Sequence, residues 1–384
     1  MLDRRRFLHL SGASLGAALA SSRLAFAAAP TENRFVFLFL RGGLDGLHAL
    51  APYADADFRR LRPRLAPGSE DIIDLDGYFG LHAGLGALLP LWQAGELAFV
   101  PAATTRYRSR SHFDGQNLLE NGTARPFGAS DGWLNRAILG LNAGDRRLGL
   151  SLGPAVPLIL QGAARVQAWS NEQLPDLDED FLARLAIVYR DDALFARALD
   201  DATGAPEPMM GDSPPDNGFL LAATAAADLL ARPDGPRIAE MELGGWDTHF
   251  NQAHRLNWLF GQLAQGILTL REGLGAAWAQ TVVVVGSEFG RTAAENGSAG
   301  TDHGTGGLAM IAGGAVRGGR IAGDWPGLSP TALFEERDLR AVNSYEAIFK
   351  ALLVGHLGLD RGYAERAVFP DSASLDPFTG LLRG

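Results

Sequence analysis

No cysteine occurs among the 384 residues. Neither a disulfide nor a thiolate metal site can form, so any metal must be held by oxygen and imidazole. Charged residues are also sparse, at 20%, and their balance is acidic, with a formal net charge of −10. That sign argues against nucleic acid as a partner, because gripping phosphates takes a basic surface. After the N-terminal region no run reaches the length of a transmembrane helix, and no internal repeat is visible. What the chain has in quantity is apolar: 47% hydrophobic residues supply a sizeable core and exclude wholesale disorder. A large α/β sheet can absorb such a length as one domain, expected here over residues 28–384.

Residues 1–27 are set apart from the fold. Asp3-Arg4-Arg5-Arg6-Phe7-Leu8-His9 resembles a twin-arginine export signal, a weakly apolar Ala/Gly/Ser-rich run follows, and Ala25-Phe26-Ala27 fits a small-x-small cleavage site. The expected partner is the twin-arginine export machinery, the expected location periplasmic or secreted, with no stable membrane span after cleavage. Cutting after Ala27 removes one acid and four arginines and leaves a net charge of −13.

Several apolar runs read as buried strands, and chemistry-bearing residues follow them. Residues 34–40 run into Arg41-Gly42-Gly43-Leu44-Asp45-Gly46, where Asp45 either meets a ligand or caps the next helix. Residues 97–101 lead to Thr104–Asp114, three arginines and two serines that enter a helix; Ser111 is either its N-cap or an anion-facing nucleophile. Residues 237–243 open into Gly244-Gly245-Trp246-Asp247-Thr248-His249, where Asp247 and His249, two apart in extended chain, reach the same side. Thr281 and four valines end at Gly286, and Glu288, Arg291, Asp302 and His303 follow within seventeen residues. Ligands in open α/β sheets sit outside the carboxyl ends of strands, where all these residues fall. Residues 308–311 suggest a further strand, with short ones near 148–152 and 157–160. Helices are expected over 55–65, 81–95, 131–141, 178–203, 217–232, 252–280 and 343–357, those around 161–232 forming an insertion.

Oxygen and imidazole ligands without sulfur suit a divalent metal, and two histidines favour zinc or manganese, as one or two ions. The strand ends supply Asp45, Asp247, His249 and Glu288 as candidate ligands, and the loop after Gly286 adds Asp302 and His303.

The segments FLFLRGGLDGLHALAPY, RSRSHFDGQNLLENG, GGWDTHFNQ, SEFGRTAAENGSAGTDHG and VFPDSASLDPF resemble a widespread bacterial family of unknown function, grouped with the alkaline-phosphatase and sulfatase superfamily. The likeness covers nearly all of the chain beyond the signal. It implies an α/β three-layer sandwich, a mainly parallel central sheet with helices on both faces. It also implies metal-dependent hydrolysis of phosphate, less readily sulfate, esters. Asp45, Asp247, His249, Glu288 and His303 would be metal ligands, and Ser111 the nucleophile. Arg110, with Arg291 or Arg41 behind it, would hold the non-bridging oxygens of a small-molecule or glycan-linked ester. Three departures stand out. Glu288-Phe289 replaces the usual Asp-His, the Asp247-to-His249 spacing is shorter than usual, and the formylglycine setting of sulfatases is absent. His112 and Asp302 are the reserves that would compensate, as ligands or as partners that buttress His303. The competing expectation is an envelope protein that binds metal or an anionic glycan without turnover.

Overall fold

Seven consecutive buried residues, RFVFLFL, form β1 (Arg34–Leu40). A strand covered on both faces needs apolar side chains at odd and even positions alike. Val36, Leu38 and Leu40 enter one core, whereas Phe35, Phe37 and Phe39 enter another. The computed structural model describes residues 31–141, 148–170 and 218–384, with Val188, Tyr189 and Arg197 between them. The export signal, the helix expected over 178–203 and most of the expected insertion lie outside the described residues.

Three short strands, β2 (Leu50–Ala51), β3 (Ile72–Asp74) and β4 (Gly80–His82), make a small antiparallel sheet. The remaining strands join β1 in one nine-stranded sheet. They are β5 (Leu97–Thr104), β6 (Gly149–Leu152), β7 (Val166–Trp169), β8 (Ile238–Leu243), β9 (Thr281–Gly286), β10 (Gly307–Ala312), β11 (Arg320–Ile321) and β12 (Asn343–Ser344). Their order is β11-β5-β10-β9-β1-β8-β6-β7, with β12 also beside β5. Every pairing in this sheet is parallel except the two made by β10, which runs against β9 and β5.

Among the described residues five longer helices cover the faces: α1 (His112–Asn121), α2 (Trp133–Gly140), α3 (Gly218–Ala231), α4 (Gln252–Leu274) and α5 (Tyr345–Gly355). Helices α3 and α4 pack on the face carrying Val36 and Leu38, while α2 and α5 pack on the phenylalanine face, where Trp133 stacks on Phe349 at 4.6 Å. The result is the expected α/β three-layer sandwich around a mainly parallel sheet.

Local expectations fail where glycine or proline intervenes. Residues 81–95 form the end of β4, a 3-10 segment (Ala83–Leu88) and one short helix (Leu89–Gln93), because Gly84, Gly86 and Pro90 interrupt a longer helix. The helix expected over 55–65 shrinks to one turn, Phe58–Leu61. The strand expected near 157–160 is a 3-10 turn, Leu158–Leu160, and Val166–Trp169 is instead an edge strand pairing with β6.

Candidate metal centre

Antiparallel β10 places the site. The chain leaves β9 at Gly286 and re-enters the sheet at Gly307 on the same edge, so residues 287–306 stay beyond the carboxyl ends of the parallel strands. This loop doubles back on itself: Gly290 N donates to Thr305 O at 3.0 Å, Gly304 N to Gly290 O at 2.9 Å, and Arg291 and His303 form an isolated bridge. The segment after β8 is tied to it through Thr301 N and Thr248 O, 3.2 Å apart. The start of α1 approaches from the β5 side, with the ring of His112 4.9 Å from that of Phe289.

Four side chains converge there. Asp247 Oδ1 lies 2.9 Å from His249 Nε2, 3.2 Å from His303 Nε2 and 3.6 Å from His112 Nε2. His303 Nε2 in turn lies 2.9 Å from His112 Nε2 and 3.0 Å from His249 Nε2. Two triangles of donor atoms thus share the Asp247–His303 edge. Ligands on one tetrahedral zinc ion, with bonds of about 2.0–2.1 Å, stand about 3.3 Å apart, so these separations fit a shared divalent cation.

The opposite ring nitrogens are anchored. His112 Nδ1 meets Glu288 Oε1 at 2.7 Å, His249 Nδ1 meets Asp302 Oδ1 at 3.1 Å, and His303 Nδ1 meets the Arg110 carbonyl at 2.9 Å. An imidazole that gives its Nδ1–H to such an acceptor presents an Nε2 lone pair, the arrangement by which proteins orient metal-ligating histidines. Three lone pairs aimed at one another repel unless a cation or protons lie between them.

The carboxylates are held ionised. Burial favours neutral Glu288, but hydrogen bonds from His112, Gln116 and Ser287 outweigh it and hold its carboxyl below the ordinary range. For Asp247 the hydrogen bond and charge of Arg291, 2.6 Å away, similarly overcome burial. His112 is pushed up, chiefly by its hydrogen bond to Glu288, whereas desolvation pushes His303 down.

Of the metal-ligand candidates, Asp247, His249 and His303 come together, and Asp45 and Glu288 do not join them. Asp45 is buried; its carboxylate accepts from Arg62 Nη1 at 3.0 and 2.8 Å, Gln252 Nε2 at 2.6 Å and His48 N at 3.1 Å, so it caps the turn Gly46–Ala49. Glu288 accepts from Gly42 N, Gln116 Nε2 and Ser287 Oγ besides His112, and so serves the imidazole rather than the centre. His112, weighed in the sequence only as a reserve, stands at the centre. Its one sequence signal is its place at the first position of a helix that follows a strand end.

The candidates for anion chemistry are placed unevenly. Ser111 precedes His112 at the N-cap position of α1, yet its side chain makes no capping hydrogen bond. Arg110, in the left-handed region at φ 62°, directs its guanidinium to Asp338 and Glu335 and only its carbonyl to His303. Arg291 is buried against Asp247 and Thr301. Phe289 is buried against the rings of His112 and His303, whose centroids lie 4.9 and 5.3 Å from its own.

Residues 101–365 match the model of a family described as a protein of unknown function (DUF1501). No curated protein matches the sequence. Similar solved structures include the lipoteichoic acid synthase LtaP from Listeria monocytogenes, 12% identical with a TM-score of 0.40 over 91% of this chain and 78% of that one. A phosphonate monoester hydrolase of Agrobacterium radiobacter is 12% identical, with a TM-score of 0.36 over 85% and 74%. An alkaline phosphatase from the Antarctic bacterium TAB5 is 12% identical, with a TM-score of 0.33 over 75% and 92%. Likenesses this distant carry no inference about chemistry.

Proposed function

The chain belongs to the DUF1501 family of proteins of unknown function, and we propose that it is a metal-dependent hydrolase of phosphate esters. The observation that carries this reading is the convergence of three Nε2 atoms on Asp247 Oδ1, each opposite Nδ1 being anchored. His112, Asp247 and His303 hold the ion, zinc or manganese, with His249 on the flank. Such an ion supplies Lewis acidity to a phosphoryl oxygen when bound.

The rest of the chemistry belongs to side chains and backbone. Ser111 Oγ, free of any capping duty, attacks phosphorus; the Oγ–P bond forms as the bond to the ester oxygen breaks, and the alcohol leaves with the serine's proton. Water then hydrolyses the phosphoserine. The N–H groups at the start of α1, a helix of ten residues, receive the non-bridging oxygens. Arg291 acts through Asp247, keeping it anionic, and Arg110 through the carbonyl that orients His303. The Arg4-Arg5 motif supports work outside the cytoplasm, reached by twin-arginine export. Among the described residues no helix is long and apolar enough to cross a membrane.

One observation favours binding without turnover: all three candidate oxyanion-holding guanidiniums are engaged by carboxylates, Arg110 with Asp338, Arg291 with Asp247 and Arg41 with Glu120 and Glu242. Elemental analysis of the purified protein, paired with a panel of phosphate mono- and diesters and sulfate esters, separates the readings. We expect bound metal and phosphate-ester turnover that Ser111→Ala abolishes and His303→Ala loses together with the metal. Metal without turnover of any ester leaves the binding protein; no metal under replete conditions ends both.

A further inference from the structure

The turn formed by residues 334–338 is made of residues that suit it poorly. Phe334 N donates to Asp338 O at 2.8 Å and Asp338 N to Phe334 O at 3.0 Å, and between them the chain reverses with Glu335 at φ 54° and Glu336 at φ 52°. Left-handed backbone favours glycine or asparagine, and a long side chain there is strained. Arg110, at φ 62°, is left-handed too, and the Glu335 carboxylate pairs with its Nη2. Two strained residues thus meet through their side chains. Strain of this kind persists only where the surroundings over-determine it, and it gathers at functional sites.

The contacts of the turn lead to His303. Asp338 is fully buried and divides its oxygens between two guanidiniums: Oδ2 accepts from Arg110 Nε at 2.7 Å, and Oδ1 from Arg337 Nη1 at 2.8 Å. Each arginine then reaches the histidine. The Arg110 carbonyl stands 2.9 Å from His303 Nδ1, and Arg337 Nη1 donates to the His303 carbonyl at 3.0 Å. The backbone of the turn and its flank is joined to both arms of the loop 287–306, with Ala293 N donating to Arg337 O at 3.1 Å and Gly306 N to Leu339 O at 2.9 Å. The ring and the main chain of the one histidine that lies on both donor triangles are therefore gripped from one turn.

We propose that residues 334–338 are the positioning device of the metal centre. Glu335 and Asp338 fix Arg110, Arg110 and Arg337 fix His303, and His303 Nε2 is thereby held where a divalent ion needs it. This accounts for the strain, because glycine at position 335 would relax the backbone and forfeit the carboxylate. Glu336 shares the strain without the duty: it is exposed, and its carboxylate has no partner among the described residues. The proposal rests on the metal reading of the centre and is independent of whether the ester is hydrolysed.

Glu335→Gly and Glu336→Gly therefore make a matched pair. Zinc affinity of the full chain is measured by competition with a chromophoric chelator, together with the melting temperature of the metal-free protein and the visible spectrum of its cobalt form. Both variants relieve backbone strain, and an exposed ion pair is worth little, so each should melt no more than about 1 °C below the wild type. Glu335→Gly should bind zinc about tenfold more weakly, the lower end of what losing an outer partner of a metal ligand costs, and should shift the cobalt spectrum. Glu336→Gly should change neither. Arg110→Gln should match Glu335→Gly, and the double variant should lose no more than either single one, since both act along one path. Equal zinc affinity in the wild type and Glu335→Gly, an equal loss in Glu336→Gly, or losses that multiply in the double variant would each overturn the proposal and leave the centre standing. A wild type that takes up neither zinc nor cobalt overturns the centre and the proposal together.

Discussion

Arg62 and Asp45 pair at 2.8 Å with side chains 0% and 1% exposed. A carboxylate so far from water is tolerable only while its partner stays, and breaking such a pair typically costs about 3–5 kcal/mol. Arg62→Ala should lower the urea midpoint accordingly and leave metal content unchanged; metal loss in a variant of near-normal stability would instead return Asp45 to the ligands. His48, three residues on, is buried with neither ring nitrogen partnered and stacks on His82 at 5.0 Å. Burial pushes its pKa down to about 3 from 6.5, and His82 is pushed the same way. Below its unfolded pKa of 6.5 the unfolded chain binds a proton that the folded one refuses. Stability is therefore full above that pH and falls toward about pH 3, by up to about 1.4 kcal/mol per pH unit for His48. Unfolding free energies measured between pH 7 and 4 should show this slope, and His48→Leu should flatten it. Local sequence rules rated Asp45 and Asp247 alike, an acid within two residues of a glycine just past a strand end. They carry no information on whether an arginine seventeen residues away already occupies the carboxylate, and that decided between the two.

Strand β9 was legible because four valines in a row favour an extended, doubly buried backbone. The direction of β10 was not, since GLAMIA is as apolar read either way. Yet that direction returns the loop 287–306 to the edge that carries the candidate centre and sets His303 beside Arg291. Two glycines let the surrounding segments close. Gly42, at φ 121°, approaches so near that a Cβ would meet Asp247 N at 2.5 Å; at Gly304 a Cβ would meet the Arg291 carbonyl at 2.3 Å. Neither obstacle is a side chain that can swing aside. Gly304→Ala should thus pry the loop open, costing about 1–3 kcal/mol as an overpacked position and lowering metal occupancy through His303. Gly297→Ala, in the same loop with nothing within 4 Å of the added carbon, is the control and should change neither. Thermal melts and metal content of the two variants decide the matter; equal behaviour would mean that the loop does not hold His303.

At the scale of the molecule, the centre is a product of the whole sheet. His112 comes from the helix after β5, Asp247 and His249 from the end of β8, and His303 from the return into β10. The pair His112–His303 is 191 residues apart in sequence, which is why no local reading could rank His112 above Glu288. Because these elements must be folded before the Nε2 atoms meet, an ion held there would bind the native chain far better than the unfolded one, and by linkage would stabilise the fold. Zinc at about a hundredfold excess over its dissociation constant should contribute about 2.7 kcal/mol. With an unfolding entropy near 2.1 cal/mol/K per residue, a chain of 384 residues should then melt about 3 °C higher. A chelator should reverse the shift, and His303→Ala should abolish it, because that side chain lies on both donor triangles. His249→Ala removes a corner of only one triangle and should retain part of the shift. A wild-type melting temperature indifferent to zinc and manganese would mean that protons, and not a metal ion, fill the space between the three imidazoles.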